Sequence, residues 1–215
     1  SSAASDVYKR QIIGKERIVW RYDPILINEH YTREYHKKYF QKLCDSLCNY
    51  TEKCTVSFVD LYKNTERNTK SLNIHTPSNE EVLELMSFFS KIAHENGIYI
   101  DTCTEEYDLS SLNIKHACCI DKSRLERIGN YQLKIGKDKN QRSICGCIES
   151  IDIGMYNTCE NGCMYCYANF NCEMARKNHN KHNPLSPLIS GEIEYDDKLN
   201  IRNVKSNINN QLQFF

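Results

Sequence analysis

Cys159, Cys163 and Cys166 follow one another at the spacing Cys-x3-Cys-x2-Cys, in the run Asn157-Thr158-Cys159-Glu160-Asn161-Gly162-Cys163-Met164-Tyr165-Cys166-Tyr167-Ala168-Asn169. Thiolates this close in sequence can converge on one metal centre, and cysteine is the expected ligand of iron–sulfur clusters. Gly162 allows a tight turn between them. Three protein sulfurs leave one corner of a [4Fe–4S] cluster free, and an open corner is where chemistry can occur. Cys145 and Cys147 stand just upstream, separated only by Gly146. They are expected to add ligands or to support the triad. Zinc is the alternative, because Cys147 plus the triad would satisfy its tetrahedral demand for four Cys or His ligands.

The remaining candidates lie further upstream. Asp23, Asp60 and Cys103 each follow a stretch that reads as a β-strand, and parallel α/β sheets bind ligands at the carboxyl ends of their strands. Asp23 and Asp60 are candidate acid/base groups or polar cofactor contacts, with loop capping as the alternative. Arg21 falls inside a strand, where a guanidinium needs a partner. Asp23, Asp60 or an anionic substrate group could serve. Cys103, Cys118 and Cys119 read either as ligands of a second cluster or as buried thiols. His116 and His182 are weaker ligand candidates, and Cys172 is the weakest of the tail. Cys44 and Cys48, four apart in a helical pattern, are expected to be small buried or half-buried residues, with a ligand pair as the alternative. Tyr156, Tyr167 and Phe170 are expected to pack around the metal.

Positioning these groups requires a core. The chain has 215 residues, 40% of them apolar, enough for about one domain. No apolar stretch approaches the roughly 20 residues of a membrane span. The charge is balanced, 28 basic against 28 acidic residues, which argues against a broad nucleic-acid surface. Twelve cysteines without a secretory signal favour a reduced, metal-binding, cytoplasmic protein over a disulfide-stapled one. The first eleven residues read as a non-native extension, similar to translated read-through at a contig edge.

Residues 12–129 read as an α/β region. Strands are expected over Ile18–Tyr22, closed by Asp23-Pro24, over Cys54–Asp60 and over Ile98–Thr102. A helix is expected from Thr32 to about Tyr50, with Tyr35, Tyr39, Phe40, Leu43 and Leu47 inward. Lys63–Asn73 has no apolar period and reads as a loop. A second helix opens at Ser78, which has capping-box spacing to Glu81, and stops at Gly97. Its apolar face is Val82, Leu83, Met86, Phe89, Ile92 and Ala93. A short helix follows over Asp121–Ile128. The alternation predicts a parallel sheet with crossover helices, a partial TIM-barrel-like arrangement. Residues 130–215 read as a cysteine-rich tail that needs metal to fold.

With Tyr165 directly before the last cysteine, the triad resembles that of the radical S-adenosylmethionine enzymes. That resemblance implies a [4Fe–4S] cluster, S-adenosylmethionine as co-substrate, an electron donor as partner, and cofactor contacts from Tyr165 and Asn169. Those enzymes usually carry the triad after the first strand of the barrel, not late in the chain as here. A closed or electron-transfer cluster, or zinc, therefore stays open. A second resemblance covers Ile12 to the end. Trp20-Arg21-Tyr22-Asp23-Pro24-Ile25, Ser57-Phe58-Val59-Asp60-Leu61-Tyr62, Asp101-Thr102-Cys103, Cys145-Gly146-Cys147, Ser150–Gly154, the triad and Asn183–Leu188 are similar to the bacterial and archaeal family catalogued as domain of unknown function 1848. Its members generally begin earlier, which implies a C-terminal portion of a barrel-like protein. The family has no assigned reaction, so the substrate, small molecule or macromolecule, stays open.

Overall fold

The computed structural model describes residues 12–209, so the extension read over the first eleven lies outside the described residues. The chain divides into two compact units. One comprises residues 12–59, 73–150 and 207–209; the other comprises 60–72 and 151–206.

The first unit carries β1 (Trp20–Ile25), α1 (Arg33–Leu47) and β2 (Lys53–Phe58). In the second unit, α2 (Lys63–Thr69) follows. The first unit resumes with α3 (Asn79–Glu95), β3 (Tyr99–Thr102), β4 (Lys115–His116), α4 (Lys122–Gly129) and β5 (Gln132–Leu133). The second unit contains α5 (Cys172–Asn180), and β6 (Ile208–Asn209) returns to the first, where it pairs antiparallel with β5. The strands β1 to β4 form an open sheet in chain order, each parallel to the next. Alternating strands and helices thus give the expected α/β parallel sheet, with a short fourth strand that its two-residue length hides from periodicity.

Register sorts the side chains onto two faces. Trp20 lies opposite Cys54, and Cys54 opposite Ile100; Tyr22 lies opposite Val56. These residues face α1 and α3 and build the core with Phe40, Leu47, Val82, Leu85, Met86 and Phe89. Phe40 stacks on Phe89 with ring centroids 3.8 Å apart, and Trp20 stacks on Phe40 at 5.0 Å. Burying each such ring stabilises the fold by roughly 1.5–3 kcal/mol. The next row, Arg21 opposite Thr55 and Thr55 opposite Asp101, is polar and lies on the other face.

Cys44 is buried on α1 as expected, but the core stripe is rotated from the expected one in that His36 is buried while Tyr39 is exposed. His36 is taken in because it spans two partners. Its Nε2 donates to the Leu26 carbonyl and its Nδ1 accepts from the Tyr22 hydroxyl, both at 2.9 Å. Burial pushes its pKa down. On α3, Leu85 is buried and Leu83 is not. The capping box at Ser78 and Glu81 forms, and Gly97 adopts φ 65°.

Two expectations fail for clear reasons. Asp23-Pro24 does not end β1, which continues to Ile25 with a register shift between Tyr22 and Ile25. Among the described strands β1 is an edge, where a residue lacking an N–H is tolerated. Lys63–Asn73 is not a loop. It forms α2 and a 3-10 turn, Lys70–Leu72, with Thr65 and Thr69 buried one helical turn apart. Threonines rather than aliphatic residues carry that inward stripe, so hydropathy misses it. No helix among the described residues is long and apolar enough to cross a membrane.

Candidate functional site

On the polar face of the sheet, Lys53 and Asp101 form a buried ion pair at 2.6 Å, and Thr55 donates to Asp101 at 2.7 Å. Arg21 stands in the same row, opposite Thr55, and its side chain reaches partners toward the carboxyl ends of the strands. Its Nε and Nη2 donate to Asp23 Oδ2 at 3.0 and 2.6 Å. The Ser57 hydroxyl donates to the other oxygen, Oδ1. Asp23 is therefore the carboxylate that pairs with Arg21, and its two oxygens already serve an orienting role. Burial disfavours the guanidinium charge, but the hydrogen bonds to Asp23 and Cys119 and the Asp23 charge outweigh that penalty. Asp60 lies in the other unit, where it accepts from the Tyr62 hydroxyl at 3.2 Å.

The third arm of Arg21, Nη1, donates to Cys119 Sγ at 3.1 Å. Cys119 follows β4, and Cys103 follows β3; their sulfurs are 3.6 Å apart. The β3–β4 pairing brings these two loop residues together. The Cys103 hydrogen bond and the Arg21 guanidinium pull the Cys119 pKa down to about 6. Cys103 is pushed well above the usual thiol range by its bond to Cys119 and by burial. Ser57 and the deciding role of Cys119 have no sequence signature, because the pairing depends on register.

Cys145 and Cys147 are buried in the same unit. Cys147 Sγ accepts the backbone N–H groups of Cys119 and Ile120 at 3.2 and 3.4 Å. Burial raises its pKa. A Cβ on Gly146 would stand 2.5 Å from Cys118 Sγ, so a side chain there would have to displace the Cys118 thiol. His116, on β4, is exposed.

The triad sits in the second unit, on a loop tied at its base by Asn157. The Asn157 N–H donates to the Ala168 carbonyl at 3.0 Å. Its side-chain oxygen accepts the N–H groups of Phe170 (2.7 Å) and Asn171 (3.3 Å). Asn178, on α5, donates to the Asn157 carbonyl at 2.9 Å. Asn157 is buried and adopts φ 53°, a left-handed conformation that asparagine tolerates well. Within the loop, Gly162 has φ 66°, and the Cys166 N–H donates to the Cys163 carbonyl at 3.1 Å. The Asn169 side chain donates to the Cys159 carbonyl. Cys159 and Cys163 are exposed and Cys166 is half-buried; all three are free thiols. Tyr165 is exposed beside them. Tyr156 stacks on Phe170 at 5.6 Å, while Tyr167 lies 6.5 Å from Tyr62. Glu160 faces Arg176 and His179 on α5 at 3.6 and 3.5 Å. Cys172 opens α5 and is exposed; His182 Nδ1 lies 2.9 Å from the Ile189 carbonyl.

Among the described residues, no three Cys, His, Asp or Glu side chains stand ready-grouped around one point. The donor chemistry of the loop fits iron and sulfide all the same: three uncrosslinked soft ligands on one short closed segment. Metal sites of this kind take final shape when the metal binds.

The family model described as Domain of unknown function (DUF1848) matches residues 8–168. The chain belongs to this family. Neither the curated proteins nor the solved structures gave a match. The DUF1848 span contains the Arg21–Asp23–Ser57 network, the Cys103–Cys119 pair and all three triad cysteines.

Proposed function

We propose that the chain is an iron–sulfur protein in which Cys159, Cys163 and Cys166 ligate a [4Fe–4S] cluster, with chemistry related to the radical S-adenosylmethionine enzymes. The observation that carries this reading is the loop closed at Asn157, which presents three free thiols at Cys-x3-Cys-x2-Cys spacing. With its fourth iron open, such a cluster supplies the reductive cleavage of S-adenosylmethionine. The chain's own residues hold and orient. Asn157 and Asn169 fix the loop backbone, and Tyr165 flanks the last ligand. Cys145 and Cys147 stay in the sheet unit as packed thiols. Four parallel strands with helices on one face and polar residues on the other support a partial-barrel reading of the sheet. Twelve free cysteines suit a reducing, cytoplasmic setting with an electron donor as partner.

The test is anaerobic purification followed by metal and sulfide analysis. The reading expects a brown protein with about four irons and four sulfides per chain, and loss of both in Cys159→Ala. Reduction with dithionite in the presence of S-adenosylmethionine should then cleave it. A colourless protein holding zinc and no iron overturns the cluster. An iron-loaded protein that leaves the cofactor intact overturns the open corner and makes the centre a structural or electron-transfer one.

A further inference from the structure

We infer that Cys103 and Cys119 form a redox-active dithiol that exchanges with small, open-chain disulfides, with Arg21 activating each sulfur in turn. The inference rests on the sheet unit alone and needs no metal. Its geometry has three parts. The two sulfurs are 3.6 Å apart, on adjacent loops after adjacent parallel strands. Cys119 is exposed and Cys103 half-buried, so one sulfur meets a reagent first and the other waits beneath it. The Arg21 guanidinium touches Cys119 and also reaches Cys103, while Asp23 holds it from the other side. By contrast, the buried Cys54 is pushed well up in pKa by burial, and the thiol whose charge acts on it, Cys44, is buried too. The groups facing Cys119 are Cys103, Arg21 and, from the 145–147 segment, Cys147, whose charge would oppose its ionisation.

The exchange proceeds in two steps. The Cys119 thiolate attacks one sulfur of a disulfide RS–SR; the S–S bond breaks and RS⁻ leaves. Cys119 then carries an –SR group and no charge. That change removes the hydrogen bond and the repulsion that kept Cys103 protonated. Arg21 is left facing Cys103 alone, so Cys103 ionises, passing its proton to the departed RS⁻. Its sulfur attacks Cys119 Sγ and expels the second RS⁻. Two cysteine sulfurs have given up two electrons to close one S–S bond, and the disulfide has taken them to become two thiol equivalents. Closing the bond brings the sulfurs from 3.6 Å to about 2.05 Å.

The pH dependence sets the size of the effect. A thiol with a pKa about 6 gains in thiolate fraction but loses intrinsic nucleophilicity. Against an ordinary thiol the net advantage is about tenfold at pH 6 and about twofold at pH 7. The test treats the reduced full-length protein with glutathione disulfide under anaerobic conditions and maps all cysteines by mass spectrometry. The expected product is a Cys103–Cys119 crosslink. Cys103→Ser should instead trap glutathione on Cys119. Iodoacetamide alkylation of Cys119 should show a midpoint near pH 6 that rises in Arg21→Gln, whereas Cys118→Ser leaves both crosslink and midpoint unchanged. Initial glutathione capture at other cysteines, a crosslink between other partners, or a Cys119 alkylation profile like that of an ordinary thiol would overturn the inference.

Discussion

Phe89 in the sheet unit has lost all contact with water, whereas Ile153 in the unit carrying the cysteine loop is 81% exposed. That contrast runs through both units. The first packs α1 and α3 onto one sheet face through a continuous aromatic and aliphatic cluster. In the second, the described residues that are buried are Thr65, Thr69, Asn157 and Ala175, and Leu185 and Ile201 stand in solvent. Apolar burial drives the first unit toward one structure. The second relies on backbone groups bridged by asparagine side chains, each worth about 1 kcal/mol net. A segment held that way gains most from an added ligand, which is the physical reason to look for metal there.

The contrast can be broken by mutation. Phe89→Ala should cost about 3–5 kcal/mol, read as a lower denaturant midpoint. Asp101→Ala should cost about as much, because it strands the Lys53 ammonium without its partner. If either leaves the midpoint within error, the sheet core is not the stabilising element. Asn157→Ala should act locally. Amide exchange over 157–171 should quicken by about 1–3 kcal/mol of lost protection, with the global midpoint unchanged and iron incorporation reduced. A global unfolding response instead would mean that the loop clamp supports the sheet. The smallest effect is that of pH. His36 has a folded pKa below its unfolded value of about 6.5. Its contribution is therefore fully present above about pH 6.5 and is lost as pH falls through that value toward the depressed folded one. The unfolding midpoint should decline over that range, and His36→Gln should flatten the decline.

The same contrast marks what could be read from the chain. The sheet unit was legible because its elements obey simple periods: the strands around Val56 and Ile100 and the capping box at Ser78 stand where residue type requires. Helix faces were legible only to within one position. Leu83 and Leu85 are chemically alike, and tertiary packing chooses between them. The triad was legible as a spacing, and its clamp was not. Asn157 looks like any loop asparagine until its left-handed backbone and four hydrogen-bonded partners are seen. Cys119 was one of several unplaced thiols. Its distinction comes from Arg21, 98 positions away in sequence, and no local pattern encodes that distance.

Pro24 has an outcome beyond the path of β1. The border of a parallel sheet is an invitation to a stray strand from another molecule, which could extend the ladder and seed aggregates. Among the described strands β1 is such a border; there the proline offers no N–H, and the uneven step from Tyr22 to Ile25 spoils the repeat on which such a stranger would have to lie. The irregularity that complicates the strand also guards the flank of the sheet.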